Sequence, residues 1–289
     1  MNDWMTNLQK RKKETWRDLF RPSLADDEQA LQFYSSPCDL GVIRNGGRRG
    51  ARHAPHSLLH HLKSMVRHHE SPLCEEYFLD PHSGHQEFTL EQKRQIEFID
   101  QHLKTKAIHI GGGHDHIFPF AKAIAKKCDH LHIINIDAHL DTRRDEIFHS
   151  GTPFRQLKKD LGDKLTITQV GIRSSANVED NYQNLEMNIL TMEDVRQGAL
   201  SQIKIEPQAT LFLSIDCDGI DASLMPAVSA TNPDGLTMPN LIQIKDIVTS
   251  HWKEHNHLYL GIYEFNPLFD NVSSTSAKFI THYIRDLLS

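Results

Sequence analysis

His130-Leu131-His132-Ile133-Ile134-Asn135-Ile136 runs straight into Asp137-Ala138-His139-Leu140-Asp141. The first seven residues are a short β-branched, apolar-rich run of strand length. In the next five, acids or imidazole alternate with small or apolar residues. In extended chain alternate residues share a face, so Asp137, His139 and Asp141 point one way and Ala138 and Leu140 the other. Two further segments have the same form. Ala107-Ile108-His109-Ile110 ends in Gly111-Gly112-Gly113-His114-Asp115, and Leu211-Phe212-Leu213-Ser214-Ile215 ends in Asp216-Cys217-Asp218-Gly219-Ile220-Asp221. The same alternation puts Asp216 and Asp218 on one face and turns Cys217 into packing.

Around these segments, strands and helices alternate. Strands are read at 107–110, 130–136, 165–170, 186–190, 210–215 and 258–263. Helices are read at 55–68, 118–127, 238–251 and 276–288, with a further one opened by a capping box at Thr89-Leu90-Glu91-Gln92. Thr191 is read as the cap of the helix after 186–190. This order implies βαβ units and a parallel sheet covered on both faces. Ligands of such sheets bind beyond the carboxyl ends of the strands, where the three polar clusters fall. Residues 1–36 are read as an N-terminal extension, one amphipathic helix bearing Trp16 and Phe20 followed by irregular chain. Residues 37–289 are read as a single catalytic domain, and 71–86 as a long loop, either a substrate lid or plain surface.

The composition narrows the function. Lys plus Arg is 32 and Asp plus Glu is 38, a net charge of −6. That speaks against nucleic acid and anionic lipid as partners. The four cysteines, Cys38, Cys74, Cys128 and Cys217, form no C-x-x-C pair, and no stretch approaches the roughly 20 apolar residues of a membrane span. With no apolar run at its start, the chain is expected to be cytoplasmic. Of the 20 histidines, His53, His56, His60, His61, His68 and His69 crowd one segment without a carboxylate or cysteine partner, and are read as solvated.

A single Asp at a strand end is usually a turn former or cap. Three clusters after three strands are hard to produce by capping. His114, Asp137, His139, Asp141, Asp216 and Asp218 make two imidazoles and four carboxylates, which repel one another without cations. Such a set suits Mn²⁺, with Zn²⁺, Fe²⁺ and Co²⁺ as competitors. Six ligands fit two ions about 3.5 Å apart sharing bridging carboxylates.

These three segments resemble the signature motifs of the ureohydrolase superfamily, which includes arginases, agmatinases and formimidoylglutamases, and the likeness runs from about residue 37 to 288. The resemblance implies a three-layer α/β/α fold, a parallel sheet of about eight strands, and two Mn²⁺ ions per subunit. It implies one ion on His114, Asp137, Asp141 and Asp216, and the other on His139, Asp137, Asp216 and Asp218. It further implies that Asp141 orients the attacking water and shuttles its proton. Glu264, in Glu264-Phe265-Asn266-Pro267, matches the family's amidinium-binding E-x-N-P segment. A trimer or hexamer is the family's habit.

Within the superfamily, Cys38-Asp39-Leu40-Gly41-Val42, Asn45-Gly46-Gly47-Arg48-Arg49-Gly50-Ala51, Ser150-Gly151-Thr152-Pro153-Phe154-Arg155 and Gly171-Ile172-Arg173-Ser174-Ser175-Ala176-Asn177 are most similar to formimidoylglutamases. That implies hydrolysis of N-formimidoyl-L-glutamate, a step of histidine breakdown, to L-glutamate and formamide. The two substrate carboxylates ask for guanidinium partners. Arg48 and Arg173, beside Asn45, are the first candidates, followed by Arg143, Arg144 and Arg155. His149, one residue before the Ser150 that replaces the arginase-type histidine, is either a proton shuttle or a solvent-facing residue. Two alternatives stay open: a guanidino substrate releasing urea, and a non-catalytic protein of the same fold.

Overall fold

The computed structural model describes residues 14–24, 27–67, 71–79 and 88–289. Eight strands form one sheet: β1 Leu31–Ser36, β2 Cys74–Phe78, β3 Lys106–Gly111, β4 Leu131–Ile136, β5 Leu165–Ile172, β6 Asn188–Thr191, β7 Thr210–Asp216 and β8 Leu258–Tyr263. Their order is β2-β1-β3-β8-β7-β4-β5-β6, and every ladder is parallel. The helices are α1 Leu40–Arg44, α2 Ala54–Ser64, α3 Phe88–His102, α4 Ile117–Lys126, α5 Pro153–Leu161, α6 Met192–Arg196, α7 Met238–His255 and α8 Thr275–Leu287.

The six inner strands are buried on both faces because each face has its own core. Ile134, Leu213 and Leu260 pack with Leu58 of α2, Val248 of α7 and Ile280 of α8. Ile133, Phe212 and Tyr259 pack on the other side with Ile99 of α3, Phe120 of α4 and Phe154 of α5. Neighbours in one strand thus serve opposite layers, which is the three-layer arrangement expected. The cap at Thr191 forms: its hydroxyl accepts from the Asp194 N–H at 3.2 Å, and the Asp194 carboxylate accepts from the Thr191 N–H at 2.8 Å.

Several expectations are corrected. Residues 31–36, read as irregular chain, are β1, paired between β2 and β3. They belong to the sheet, so the boundary drawn at 36/37 falls at the end of a sheet strand. Trp16–Leu19 makes a single 3-10 turn, and its Trp16 and Leu19 are buried in the main core. That turn therefore covers the domain's own core; residues 1–13 lie outside the described residues. The long loop read at 71–86 contains edge strand β2, on the flank of the sheet, while 80–87 lie outside the described residues. Helix α5 was not foreseen, and α7 runs four residues beyond the expected end, to an Asn256 in left-handed conformation.

The rim of the sheet opposite the clusters carries neutral imidazoles, buried at His132 and half-buried at His257. His132 bonds Thr168 Oγ1 at 2.9 Å, and His257 Nε2 accepts the Leu211 N–H at 3.0 Å. Burial first, then neighbouring histidines, lower both from 6.5 to about 4. A depressed folded-state value gives stability that is present above about 6.5 and lost as pH falls toward about 4. The urea midpoint is expected to drop between about pH 7.5 and pH 5, and to drop less in a His132→Gln/His257→Gln variant. An identical drop in the variant would show that these rings do not set the acid limit.

Candidate metal centre

Four adjacent strands, β3-β8-β7-β4, present their carboxyl ends to one place. Ile136 pairs with Ile215 in the β4–β7 ladder, so Asp137 and Asp216 follow side by side. Asp216 pairs with Tyr263 in the β7–β8 ladder, which brings Glu264 in next to them. His114 arrives from β3 through three glycines. A Cβ on Gly112 would lie 2.0 Å from the Cys38 carbonyl oxygen, and one on Gly219 would lie 2.6 Å from the Asp137 nitrogen. Both approaches need a residue without a side chain.

The convergence of Asp137, His139 and Asp141 does not come from extended alternation. β4 stops at Ile136 and the chain bends, with Asp141 at φ 49° in the left-handed region. Glu264, at φ 62°, shares that conformation. It costs an L-residue roughly 1–2 kcal/mol, and here two residues of the cluster adopt it. Ala138, Leu140 and Cys217 do turn into the core, at 0%, 2% and 0% exposure.

Two groups of ligand atoms result, each within 4.8 Å mutually: His114, Asp137, Asp141 and Asp216, and Asp137, His139 and Asp218. His114 Nδ1 stands 3.1 Å from Asp137 Oδ2, 2.9 Å from Asp141 Oδ2 and 3.1 Å from Asp216 Oδ2. His139 Nδ1 stands 3.5 Å from Asp137 Oδ1 and 3.2 Å from Asp218 Oδ2. Asp137 thus turns one oxygen to each group. Asp216 falls in the first group alone, and its other oxygen accepts the Asp218 N–H at 2.9 Å.

The donor set fits divalent cations. His114 Nε2 bonds Ser214 Oγ at 3.0 Å, while buried Nδ1 has no hydrogen-bond partner among the described residues and faces the three carboxylates. A ring fixed at Nε2 offers the Nδ1 lone pair as a ligand. Burial, then the Asp137 charge, pushes Asp141 up to about 6. Burial, Asp218 and Asp137 hold Asp216 well above the ordinary carboxylate range. Burial raises Asp218 as well, against the pull of His139. Asp137 is the exception: burial works to raise it, but the adjacent His114 and His139 rings outweigh that and lower it. Crowded carboxylates of this kind, with imidazole nitrogens among them, suit hard to borderline divalent ions.

Above the groups lies a cavity of about 540 Å³, with His139, Asp141, Asp216, Asp218 and Glu264 among its lining residues and Asn45, Arg143, Ser150, Asn177, Asn181 and Tyr182 on its walls. Asn45 Nδ2 donates to Ser150 Oγ at 3.0 Å, and the Asn45 side-chain oxygen Oδ1 is buried without a partner among the described residues. Glu264 accepts the His114 N–H at 3.1 Å; burial, then Asp218, raises its pKa well above the usual value.

The other sequence candidates are placed elsewhere. The Arg48 guanidinium donates to the carbonyls of Val228 and Ser229 and stacks 3.9 Å over Phe269, outside the cavity. Arg144 faces away from it, into a neighbouring cavity, and Arg143 takes the wall instead. Arg173 lies behind His139, its Nη2 3.4 Å from His139 Nε2. His149, 5% exposed, accepts the Gly151 N–H at Nδ1 (3.0 Å) and reaches Asp145 through Nε2 (2.7 Å). Both nitrogens are engaged and the ring does not line the cavity, so it neither faces solvent nor sits where a shuttle would act. His56 and His60 are exposed on α2 and join neither metal-ligand group. Asn181 and Tyr182 were missed because nothing in a polar loop segment marks them. Asn177 carried a signal in its motif: it accepts the Leu140 N–H at 2.8 Å and donates to the Arg173 carbonyl at 2.8 Å, tying the ligand loop to the cavity wall.

A parallel sheet between two helical layers, with grouped His and Asp side chains after β3, β7 and β4 and Glu264 after the intervening β8, defines an α/β protein with a candidate metal site. The profile of the arginase family matches residues 29–289, and the chain belongs to that family. It is 30% identical over 268 residues to formimidoylglutamase of Klebsiella pneumoniae subsp. pneumoniae, covering 88% of this chain and 83% of that one. The Salmonella agona formimidoylglutamase is 31% identical over 273 residues, covering 89% and 84%. Among solved structures, formimidoylglutamase from Bacillus subtilis superposes with a TM-score of 0.83 at 23% identity, over 100% of this chain and 95% of that one. Trypanosoma cruzi formiminoglutamase with Mn²⁺ gives 0.78 at 22%, over 96% and 98%.

Because Asp137 serves both groups and Asp218 one, removing them should differ in effect. Asp137→Ala is expected to lose all bound divalent metal and Asp218→Ala about half. Metal content after reconstitution and desalting checks this; equal retention in the two variants would show that Asp137 is not shared.

Proposed function

We propose that the protein hydrolyses a linear amidine, N-formimidoyl-L-glutamate, to L-glutamate and formamide, with two Mn²⁺ ions per subunit. The observation that carries this reading is one cavity whose floor is the double His/Asp group and whose wall holds Arg143, a guanidinium with no carboxylate partner among the described residues. The formimidoylglutamases that the chain matches at 30–31% identity support the substrate. The manganese of the T. cruzi relative, with the oxygen-rich ligand set, supports the metal.

His114, Asp137, Asp141 and Asp216 would hold one ion, and Asp137, His139 and Asp218 the other. When bound, a pair of divalent ions supplies Lewis acidity and an attacking water made acidic enough for neutral pH. Glu264, buried and facing the same cavity, holds the amidinium nitrogen and sets the carbon toward the metal groups. Asp141 joins a ligand group and lines the cavity, as Asp216 and Asp218 do, and it is the carboxylate we assign to take the proton of the attacking water and pass it to the leaving nitrogen. Water adds across the C=N bond, the C–N bond to the glutamate nitrogen breaks, and that nitrogen leaves protonated. Arg143 binds a substrate carboxylate, a part for which the sequence ranks it behind Arg48 and Arg173.

The Mn²⁺-loaded protein is given formimidoylglutamate, agmatine, arginine and guanidinobutyrate in parallel, and formamide is scored against urea. Formamide with glutamate is expected; urea from a guanidino compound would overturn the substrate, and neither product would overturn the reaction. Arg143→Ala should raise KM about 10- to 100-fold, as loss of a charge-assisted hydrogen bond of roughly 1.5–3 kcal/mol predicts, with metal content unchanged. An unaltered KM would remove Arg143 from substrate binding.

A further inference from the structure

A second cavity lies behind the loop that carries Asp141. It measures about 480 Å³, and Ile96 of α3, Phe118 of α4 and Phe148 give it an apolar part. Six cationic side chains line it, Lys93, Lys122, Arg143, Arg144, Arg155 and Lys159, against the two carboxylates of Asp145 and Asp160. Both carboxylates are already engaged: Asp160 pairs with Lys122 at 3.0 Å, and Asp145 bonds His149 at 2.7 Å. Lys93, Arg143, Arg144 and Lys159 have no carboxylate partner among the described residues. Burial and then the Arg144 charge lower the Arg155 pKa, so the two guanidinium groups feel each other. Gln92, a lining residue 3% exposed, keeps an amide nitrogen without a hydrogen-bond partner among the described residues. Unpaired cations and an unused amide donor around a part-apolar hollow are the complement of an anion with an apolar body.

The two cavities are mechanically joined. Arg155 Nε donates to the Thr142 carbonyl at 2.8 Å and Nη2 donates to the Asn181 carbonyl; Thr142 and Asn181 both line the metal-site cavity. Arg143 and Asp145 line both hollows. A charge drawn in beside Arg155 pulls on two walls of the first cavity and competes for Arg143.

We propose that this second cavity binds a small organic anion, acidic groups on an apolar body, and that its occupancy changes the affinity of the metal-site cavity for substrate. The coupling is reciprocal, as any binding linkage must be.

Naphthalene-1,5-disulfonate, which carries two anions on an apolar ring system, is titrated into the metal-loaded full chain and followed by its fluorescence. The expected result is saturable binding that weakens at least tenfold in the Lys93→Glu/Lys159→Glu variant. Both lysines are exposed, so the charge reversal leaves the fold intact. Saturating probe should also shift the substrate KM at least threefold in the wild type and not in the variant. Equal binding to both proteins, or none to either, would overturn the site; binding without a KM shift would overturn the coupling. The binding readout needs no turnover, so its failure and that of the proposed reaction are told apart.

Discussion

The pairing of Ile136 with Ile215 in the β4–β7 ladder is the contact on which the site depends. One residue further on, it sets two buried carboxylates side by side, Asp137 and Asp216. A slip of one residue would turn every side chain of a strand to the other face and exchange the two cores as well as the ligands. Such a slip is opposed by Ile133 and Phe212 on one face and by Ile134 and Leu213 on the other. Gly219 then lets the turn after β7 close on the Asp137 backbone, which completes the second group through Asp218. The metal-ligand geometry is thus a consequence of core packing several residues away.

That placement is costly in the protein alone. Four carboxylates share a small buried volume, and Asp141 and Glu264 hold left-handed backbone beside them. What keeps them there is a rigid surround. The His114 ring lies 5.0 Å from Tyr263 at an angle of 27° and meets the edge of Phe154 at 5.5 Å. The Tyr263 hydroxyl is held in turn by His109 at 3.0 Å, and His109 by Ser36 of β1 at 2.8 Å. A ligand ring fixed by stacking and by a buried hydrogen-bond chain needs no cation to find its position.

The ligands and most central strands were legible because an apolar run ending in acid or imidazole is a local pattern. β1 and β2 were not, because their polar residues are satisfied by partners far along the chain. Gln32 donates to the His102 carbonyl and accepts the Lys104 N–H, both at 2.8 Å, and Glu75 pairs with Lys104 at 3.0 Å. Only tertiary contact makes such residues suitable for a buried strand. The choice among arginines was illegible for a related reason. A guanidinium reaches far from its backbone, so Arg48 spends its donors on Val228 and Ser229 while its sequence neighbours form the cavity wall. The bend at 137–141 also escaped the reading of alternate residues, although the side chains converge as they would in extended chain.

The candidate ligand groups and the cavity wall rest on different supports. Asp137 and Asp216 of the candidate ligand groups stand at strand ends locked by the sheet, with His139 and Asp141 on the bend after β4 and Asp218 on the turn after β7. Arg143, Asp145 and Ser150 stand on a loop held by side-chain bonds: His149 to Asp145, Asn45 to Ser150, Arg155 to Thr142 and Arg44 to the Phe148 carbonyl. Loops of this kind tolerate substitution better than the sheet does. On the proposed reaction, substitutions within residues 142–151 would alter which amidine or guanidine is accepted while the geometry at Asp137 and Asp216 stays fixed. The same loop is where a ligand outside the metal site has purchase on the reaction, since Asp141 begins it and Arg155 anchors it from behind.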